Sequence, residues 1–261
     1  MATSTESAPT VTLFRGFPGA GVYTWSPFVT KLEARLRFSN IAYRAEAGSI
    51  SKAPRGKLPY ISIEHPDGQS ETMSDSTLIT KGFIESGHAA DLNQKLSPTE
   101  RLQDLGLKAL LEDQLYFYQG HERWVLNYYT MRDQILGSLP WPMQVIVGNI
   151  IYNKNVRTLH GQGTLRFSTE EIADSRAEVW ATLNGHVAAV HARHQDREGP
   201  FWVWGGVAPT EADASLYGFI VSGLVCAAGP ATNEIIRSYP ALLAYARRIH
   251  DAYFPEYQLW E

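Results

Sequence analysis

The sequence predicts a small α/β unit with a mixed sheet, followed by an all-helical region. Three observations predict it. Short β-branched and aromatic runs flank an apolar-periodic segment in the first part of the chain. No convincing strand pattern follows residue 97. Beyond that point three Ser/Thr-x-x-Glu/Asp boxes, at Ser97, Ser168 and Thr210, each open a stretch of helical periodicity.

Residues 10–17, TVTLFRGF, read as a first strand. The glycine-rich loop PGAGVYTW follows as a flexible turn, because its glycine order runs opposite to a dinucleotide fingerprint. Ser26-Pro27 is an N-cap with proline at the first helical position, and the helix runs to about Ser39. Phe28, Leu32 and Leu36 recur every four residues along it, with polar residues around the remainder. Tyr43–Ala47 is a second short strand, and residues 48–57 form a basic loop. Tyr60–Glu64 and Glu71–Met73 make a hairpin around Pro66-Asp67-Gly68. Ser74–Ser76 then offers several capping side chains for a helix with Leu78, Ile79 and Phe83 on one face.

From Ser97-Pro98-Thr99-Glu100 a long helical segment reaches about Tyr129. Ser168-Thr169-Glu170-Glu171 opens a helix to about His194. Thr210-Glu211-Ala212-Asp213 opens one carrying Leu216, Phe219, Ile220 and Leu224. Pro240 starts a last helix with Leu242, Ala246, Ile249 and Tyr253 on one stripe. Two domains are expected, 10–90 and 97–261, joined by a short polar connector near 88–97.

Composition bounds the function. Of 261 residues, 44% are apolar and 19% charged, enough for a substantial core. The net charge of −4, with Lys and Arg scattered, argues against a nucleic-acid or anionic-membrane surface. The single Cys226 precludes an internal disulfide. The first nine residues lack the apolar middle of a signal peptide, and the run Met143–Ile151 is broken by Gln144 and Asn149. A soluble, cytoplasmic protein with no nucleic-acid or membrane partner is expected.

A small α/β unit followed by a helical domain resembles the glutathione transferase superfamily, whose N-terminal half is thioredoxin-like. Four local matches carry the resemblance: Ser26-Pro27-Phe28 where the family places its reactive residue, Leu58-Pro59 as its cis-proline step, Asp75-Ser76 as its acid-serine pair, and Thr210-x-x-Asp213 as its helical-domain box. It covers residues 10–257. The stretches SPFVTKLEARLRFSNIAYR, APRGKLPYI, GQGTLRFSTEEI and YPALLAYARRIHDAYFPEY are similar to the metaxin and "failed axon connections" branch, and to fungal members acting in secondary metabolism. The resemblance implies the glutathione transferase fold, glutathione as cosubstrate or cofactor, no metal, a small-molecule electrophile as partner, and a homodimer.

The residues support such a site physically. A cis Leu58-Pro59 would turn the Leu58 N–H and C=O outward, free to pair with an extended peptide such as the cysteinyl backbone of glutathione. At Asp75-Ser76 a helix N-terminus offers N–H groups to a carboxylate while Asp75 meets an α-ammonium; the pair serves equally as a plain helix cap. Lys52 and Lys57, on the approach loop, could meet the glycyl carboxylate. With Pro59, these are the glutathione-binding candidates. Ser26 is the first candidate for holding the thiol as thiolate, lowering its pKa from about 8.5, though it is also an ordinary N-cap. Tyr23 and Thr24 compete for that role on the same loop. Cysteine is absent there, which argues against thiol–disulfide chemistry. Trp25, Tyr116 and Trp124, with Tyr118 and Tyr128 on the same aromatic helix, would wall an electrophile site; core or dimer contacts are the alternative for these rings.

Other features carry less. Cys226 sits in an apolar helical stretch and reads as packing. His186, His191 and His194 share a helix without a further ligand cluster, so metal binding is not expected. Phe201-Trp202-x-Trp204 precedes the third box and reads as packing against it. A non-catalytic, metaxin-like adaptor is the contrasting function.

Overall fold

The structure is a computed structural model and describes residues 9–19, 21–193 and 199–260. The N-terminal tail and His194 therefore lie outside the described residues. Four strands form one mixed sheet in the order β2-β1-β3-β4, with β1 (Thr10–Phe14) parallel to β2 (Arg44–Glu46) and antiparallel to β3 (Tyr60–Glu64), which pairs antiparallel with β4 (Ser70–Ser74). Helices α1 (Pro27–Phe38) and α2 (Ser76–Glu85) complete the thioredoxin-like arrangement. Among the described residues no strand follows β4. The helical part holds α3 (Pro98–Ala109), α4 (Tyr116–His121), α5 (Tyr128–Leu136), α6 (Trp141–Gln162), α7 (Thr169–Ala192), α8 (Glu211–Val225), α9 (Pro230–Arg237) and α10 (Pro240–Tyr253).

Leu32 and Leu36 of α1 pack with Leu13, Ile61 and Ile79 in the core beneath the sheet. The opposite face of α1 departs from the expected solvated surface. Lys31, Glu33 and Arg35 are all buried, paired with Glu112 at 2.7 Å, Arg15 at 3.1 Å and Glu211 at 2.7 Å respectively. That face is covered because α8 lies against it. Gly218 of α8 makes the approach possible: a Cβ there would stand 2.4 Å from the Pro27 carbonyl oxygen and 2.9 Å from the Lys31 nitrogen. Burying charges is tolerable because each meets an opposite charge in hydrogen-bonding range.

The three capping boxes open α3, α7 and α8. At the third, Asp213 is fully buried and accepts from the Thr210 N–H at 2.8 Å, the Thr210 hydroxyl at 3.0 Å, the Val203 N–H at 2.7 Å and the Tyr245 hydroxyl at 2.7 Å. Phe201 and Trp202 lead into it as core residues. The long segment after Ser97 is not one regular helix. Residues 110–115 and 122–126 are wider π turns on either side of α4, and α5 starts anew after Asn127. No single helix among the described residues is long and apolar enough to cross a membrane; the bent pair α8 and α9 meets the length and composition test, but α8 is the buried centre of the helical core.

Candidate functional site

The loop between β1 and α1 is held from behind. Arg15, 1% exposed, donates to the carbonyls of Gly19 (2.9 Å) and Val22, and its Nε lies 3.1 Å from the buried Glu33 carboxylate. The chain's end covers the same loop: the Gln258 N–H donates to the Gly21 carbonyl at 2.6 Å, and the Tyr257 hydroxyl donates to Glu33 at 2.7 Å. At Gly16, with φ +81°, the loop touches the Leu58 side chain so closely that a Cβ would stand 2.1 Å from its methyl. Only glycine suits both the backbone angle and the contact.

Ser26 emerges from this loop at the N-terminus of α1. Its backbone is extended and its hydroxyl makes no capping hydrogen bond, so the ordinary cap role is not taken up in side-chain geometry. Tyr23 and Thr24 turn the other way. The Tyr23 hydroxyl lies in the helical core, 2.6 Å from the Tyr217 hydroxyl and 2.7 Å from His250 Nδ1, and burial pushes its pKa well up. The Thr24 hydroxyl, 2% exposed, donates to the Ser26 carbonyl at 3.3 Å. Of the three proposed hydroxyls, Ser26 is the one that lines the cavity between the sheet-bearing and helical parts.

That cavity measures about 260 Å³. From the sheet-bearing part it is lined by Phe17, Trp25, Ser26, Pro27 and Leu58. Facing them are Tyr116, Phe117, Gly120, Arg123 and Trp124, with Met131 and residues of α6 closing the floor. The expected wall residues Trp25, Tyr116 and Trp124 thus meet Ser26 and Leu58 in one space. The Tyr116 ring lies 5.0 Å from that of Phe28. Tyr118 faces away, its hydroxyl accepting from Gln114 at 2.8 Å, and Tyr128 packs on Tyr152 at 5.2 Å.

The Leu58-Pro59 peptide is cis. Among the described residues nothing hydrogen-bonds to the Leu58 N–H or C=O. Tyr60 pairs with Ser74, so the continued antiparallel register brings Leu58-Pro59 alongside Asp75-Ser76 at one end of the sheet. Asp75 is a true cap: its Oδ1 accepts from the Thr77 N–H (3.0 Å) and the Leu78 N–H (3.3 Å). Its φ of +79° is a backbone conformation that costs a non-glycine residue about 1–3 kcal/mol. Ser76 is buried, and no described residue bonds its hydroxyl. Lys52 and Lys57 are exposed on the approach loop and form no ion pair with a described residue.

Cys226 is buried behind Trp25 and Trp124, and desolvation raises its thiol pKa. His186 Nε2 lies 2.7 Å from the Val203 carbonyl, and His191 stacks on Phe201 at 4.7 Å. Among the described residues no group of three or more His, Cys, Asp or Glu side chains is placed to hold a metal. Sequence reasoning missed Arg15, Phe17, Phe117 and Arg123. The signal for Arg123 was a cation inside the aromatic stretch Tyr116–Trp124, one residue before Trp124 and seven after Tyr116, a spacing that returns to the same helix face.

Residues 27–131 match the family model of the Glutathione S-transferase N-terminal domain. The isoprene-epoxide–glutathione S-transferase of Rhodococcus sp. (strain AD45) is 28% identical over 111 residues, which is 41% of this chain and 44% of that protein, less than half its length. Over nearly the whole chain the fold matches two solved structures. Glutathione transferase GSTFuA3 from Phanerochaete chrysosporium has a TM-score of 0.59 at 15% identity, covering 98% of this chain and 100% of that one. The beta-etherase LigF from Sphingobium has 0.56 at 17%, covering 92% and 95%. At such identities the likeness fixes the fold, a thioredoxin-like sheet region followed by a helical region.

Proposed function

We propose that this chain, whose fold is that of the glutathione S-transferases, is a glutathione-dependent transferase acting on a small apolar electrophile. The superfamily is supported by the N-terminal family match and the fold together. The single observation that carries the reading is the cavity itself. Ser26 and Leu58 from the sheet-bearing part face Tyr116 and Trp124 from the helical part across one space.

Ser26, at a helix N-terminus with an uncommitted hydroxyl, stabilises the thiolate of bound glutathione. The unpaired Leu58 backbone receives the cysteinyl unit as an added strand would. Asp75 and Ser76 take the γ-glutamyl end, and Lys52 and Lys57 meet the glycyl carboxylate. The thiolate adds to an activated C=C. Protonation of the adduct gives a conjugate; rotation and expulsion of the sulfur gives trans–cis isomerisation and returns glutathione unchanged. A relative named for an epoxide–glutathione transfer supports a small electrophile. We place the reaction in secondary metabolism, in the cytoplasm. Exposed Leu102 and Leu105 on α3 support a homodimer.

Calorimetry with glutathione tests the reading. The wild-type chain binds, and Asp75→Ala and Ser76→Ala each weaken binding about tenfold or more, a loss of ~1.4 kcal/mol. A wild type that does not bind favours the metaxin-like adaptor and sinks the enzyme reading. Recovery of intact glutathione with altered olefin geometry separates isomerase from transferase.

A further inference from the structure

Arg123 borders the same cavity as Ser26, and among the described residues no carboxylate lies within ion-pair distance of it. It is 6% exposed. Nη1 donates to the Trp25 carbonyl at 2.9 Å and Nη2 to the Ser222 carbonyl at 3.3 Å. Nε is buried without a partner. The neighbouring acid is engaged elsewhere: Glu122 accepts from Arg176 at 2.9 Å and from the backbone N–H groups of Ala231 (2.8 Å) and Thr232 (3.1 Å). A guanidinium is always charged and carries five N–H donors. Two carbonyls satisfy part of that hydrogen-bonding capacity, and the Ser222 carbonyl, in the last turn of α8, brings only the partial negative charge of a helix C-terminus. A desolvated cation left this way is costly unless something negative meets it.

The cavity is where that can happen. Among the described residues Arg123 is the one charged side chain lining it; the rest are aromatic, aliphatic or neutral polar. Through the Trp25 carbonyl its guanidinium is fixed one residue from Ser26. It rises from the helical wall between Gly120 and Trp124, opposite the side that Leu58 and Ser26 present to glutathione. Nη1 and Nη2 each keep one further N–H beyond these carbonyl bonds, at the cavity wall beside Trp25.

We propose that Arg123 is a catalytic residue that stabilises the oxyanion formed on the electrophile when the C=C under attack is conjugated to a carbonyl. The proposal rests on the glutathione-dependent reading above. As the thiolate forms a C–S bond to the β-carbon, the π pair shifts to the α-carbon–carbonyl bond and the negative charge goes to oxygen. Arg123 donates to that oxygen. The enolate then takes a proton from water at the α-carbon, giving the conjugate, or collapses after rotation by breaking the C–S bond, restoring the olefin and the thiolate. No oxidant or reductant is needed. Fixed donors aimed at developing charge in a dry site are the strongest catalytic device a protein has.

Full-length wild type, Arg123→Gln and Arg123→Lys are compared with glutathione and two electrophiles, 4-phenylbut-3-en-2-one and 4-nitrobenzyl chloride. In the first the charge moves to oxygen; in the second it leaves on chloride. Arg123→Gln is expected to lower kcat on the enone about 100-fold while leaving the chloride reaction within a few fold. Arg123→Lys restores part of the enone rate, and glutathione affinity is unchanged in both. A second measurement uses only the unmodified protein, since Arg123 also ties two backbone carbonyls. Inhibition by 3-phenylpropanoate should be about tenfold tighter than by the isosteric 3-phenylpropanamide. Equal losses on both electrophiles, a shifted thiolate titration in Arg123→Gln, or no preference for the carboxylate overturns the proposal. Failure of the wild type to bind glutathione overturns the functional reading beneath it as well; intact binding with a flat Arg123 response overturns this inference alone.

Discussion

The Tyr23 hydroxyl stands 2.7 Å from His250 Nδ1, joining the site loop to the last helix across 227 positions of sequence. With His250 neutral and Nδ1 unprotonated, Tyr23 donates to it and accepts from Tyr217 at 2.6 Å. Desolvation lowers the His250 pKa, with Arg247 acting the same way and Asp251 and Glu256 opposing it. The unfolded chain therefore takes up a proton near pH 6.5, where the folded chain still resists it. Stability contributed by neutral His250 is present above that pH and is lost as the pH falls. Asp213 runs in the opposite sense: burial lifts its pKa to about 6, so its contribution declines as the pH rises from about 4 through that value. Urea unfolding of wild type and His250→Gln at pH 5.5 and 7.5 separates the two. The wild type should lose more stability on acidification than the variant.

Ser26→Ala and Tyr23→Phe should behave differently. Ser26→Ala is expected to reduce kcat about 100-fold with glutathione affinity and unfolding midpoint preserved. Tyr23→Phe removes a buried hydroxyl bonded to two partners and should cost about 1–3 kcal/mol of stability, with the thiolate titration unchanged. A thiolate titration that moves with Tyr23 and not with Ser26 would reverse the assignment.

Asp75 combines a cap with a strained backbone. Asp75→Ala should lose about 1 kcal/mol from the missing cap, and Asp75→Gly less, because glycine relieves the positive φ. Both should lose glutathione affinity alike, since each removes the carboxylate. Chemical denaturation beside calorimetry reads the two effects independently.

Gly218→Ala places a methyl against the Pro27 carbonyl and the Lys31 backbone, so α1 and α8 must separate. A destabilisation of about 1–3 kcal/mol is expected. Because Ser26 precedes Pro27, kcat should fall while the contacts within the cavity wall stay chemically intact.

Much of the fold was legible because its punctuation is local. Ser97, Ser168 and Thr210 open helices through bonds made within three residues, and Pro66-Asp67-Gly68 turns a hairpin by its own backbone preferences. The Asp75 cap was legible for the same reason, whereas the cis Leu58-Pro59 step was expected only from the family resemblance, because an X-Pro bond by itself merely tolerates the cis form. Long-range partners were not. Nothing in Lys31, Glu33 or Arg35 announces that Glu112, Arg15 and Glu211 come from distant segments to bury them. The same holds for Tyr23, whose hydroxyl competed with that of Ser26 until Tyr217 and His250 claimed it. The two π turns escaped because their composition differs little from the α segments around them.

Those turns bear on how such a pocket changes between lineages. A π turn closes one turn of helix with one residue more than an α turn, so it absorbs the extra residue. Deleting a single residue from 110–115 would return that turn to α geometry and leave Tyr116, Gly120 and Arg123 near their present phase against Trp25 and Ser26. The wall facing the nucleophile thus has two places where its length can change by one residue while the aromatic rings keep their aim. Insertion and deletion can accumulate there without dismantling the pocket.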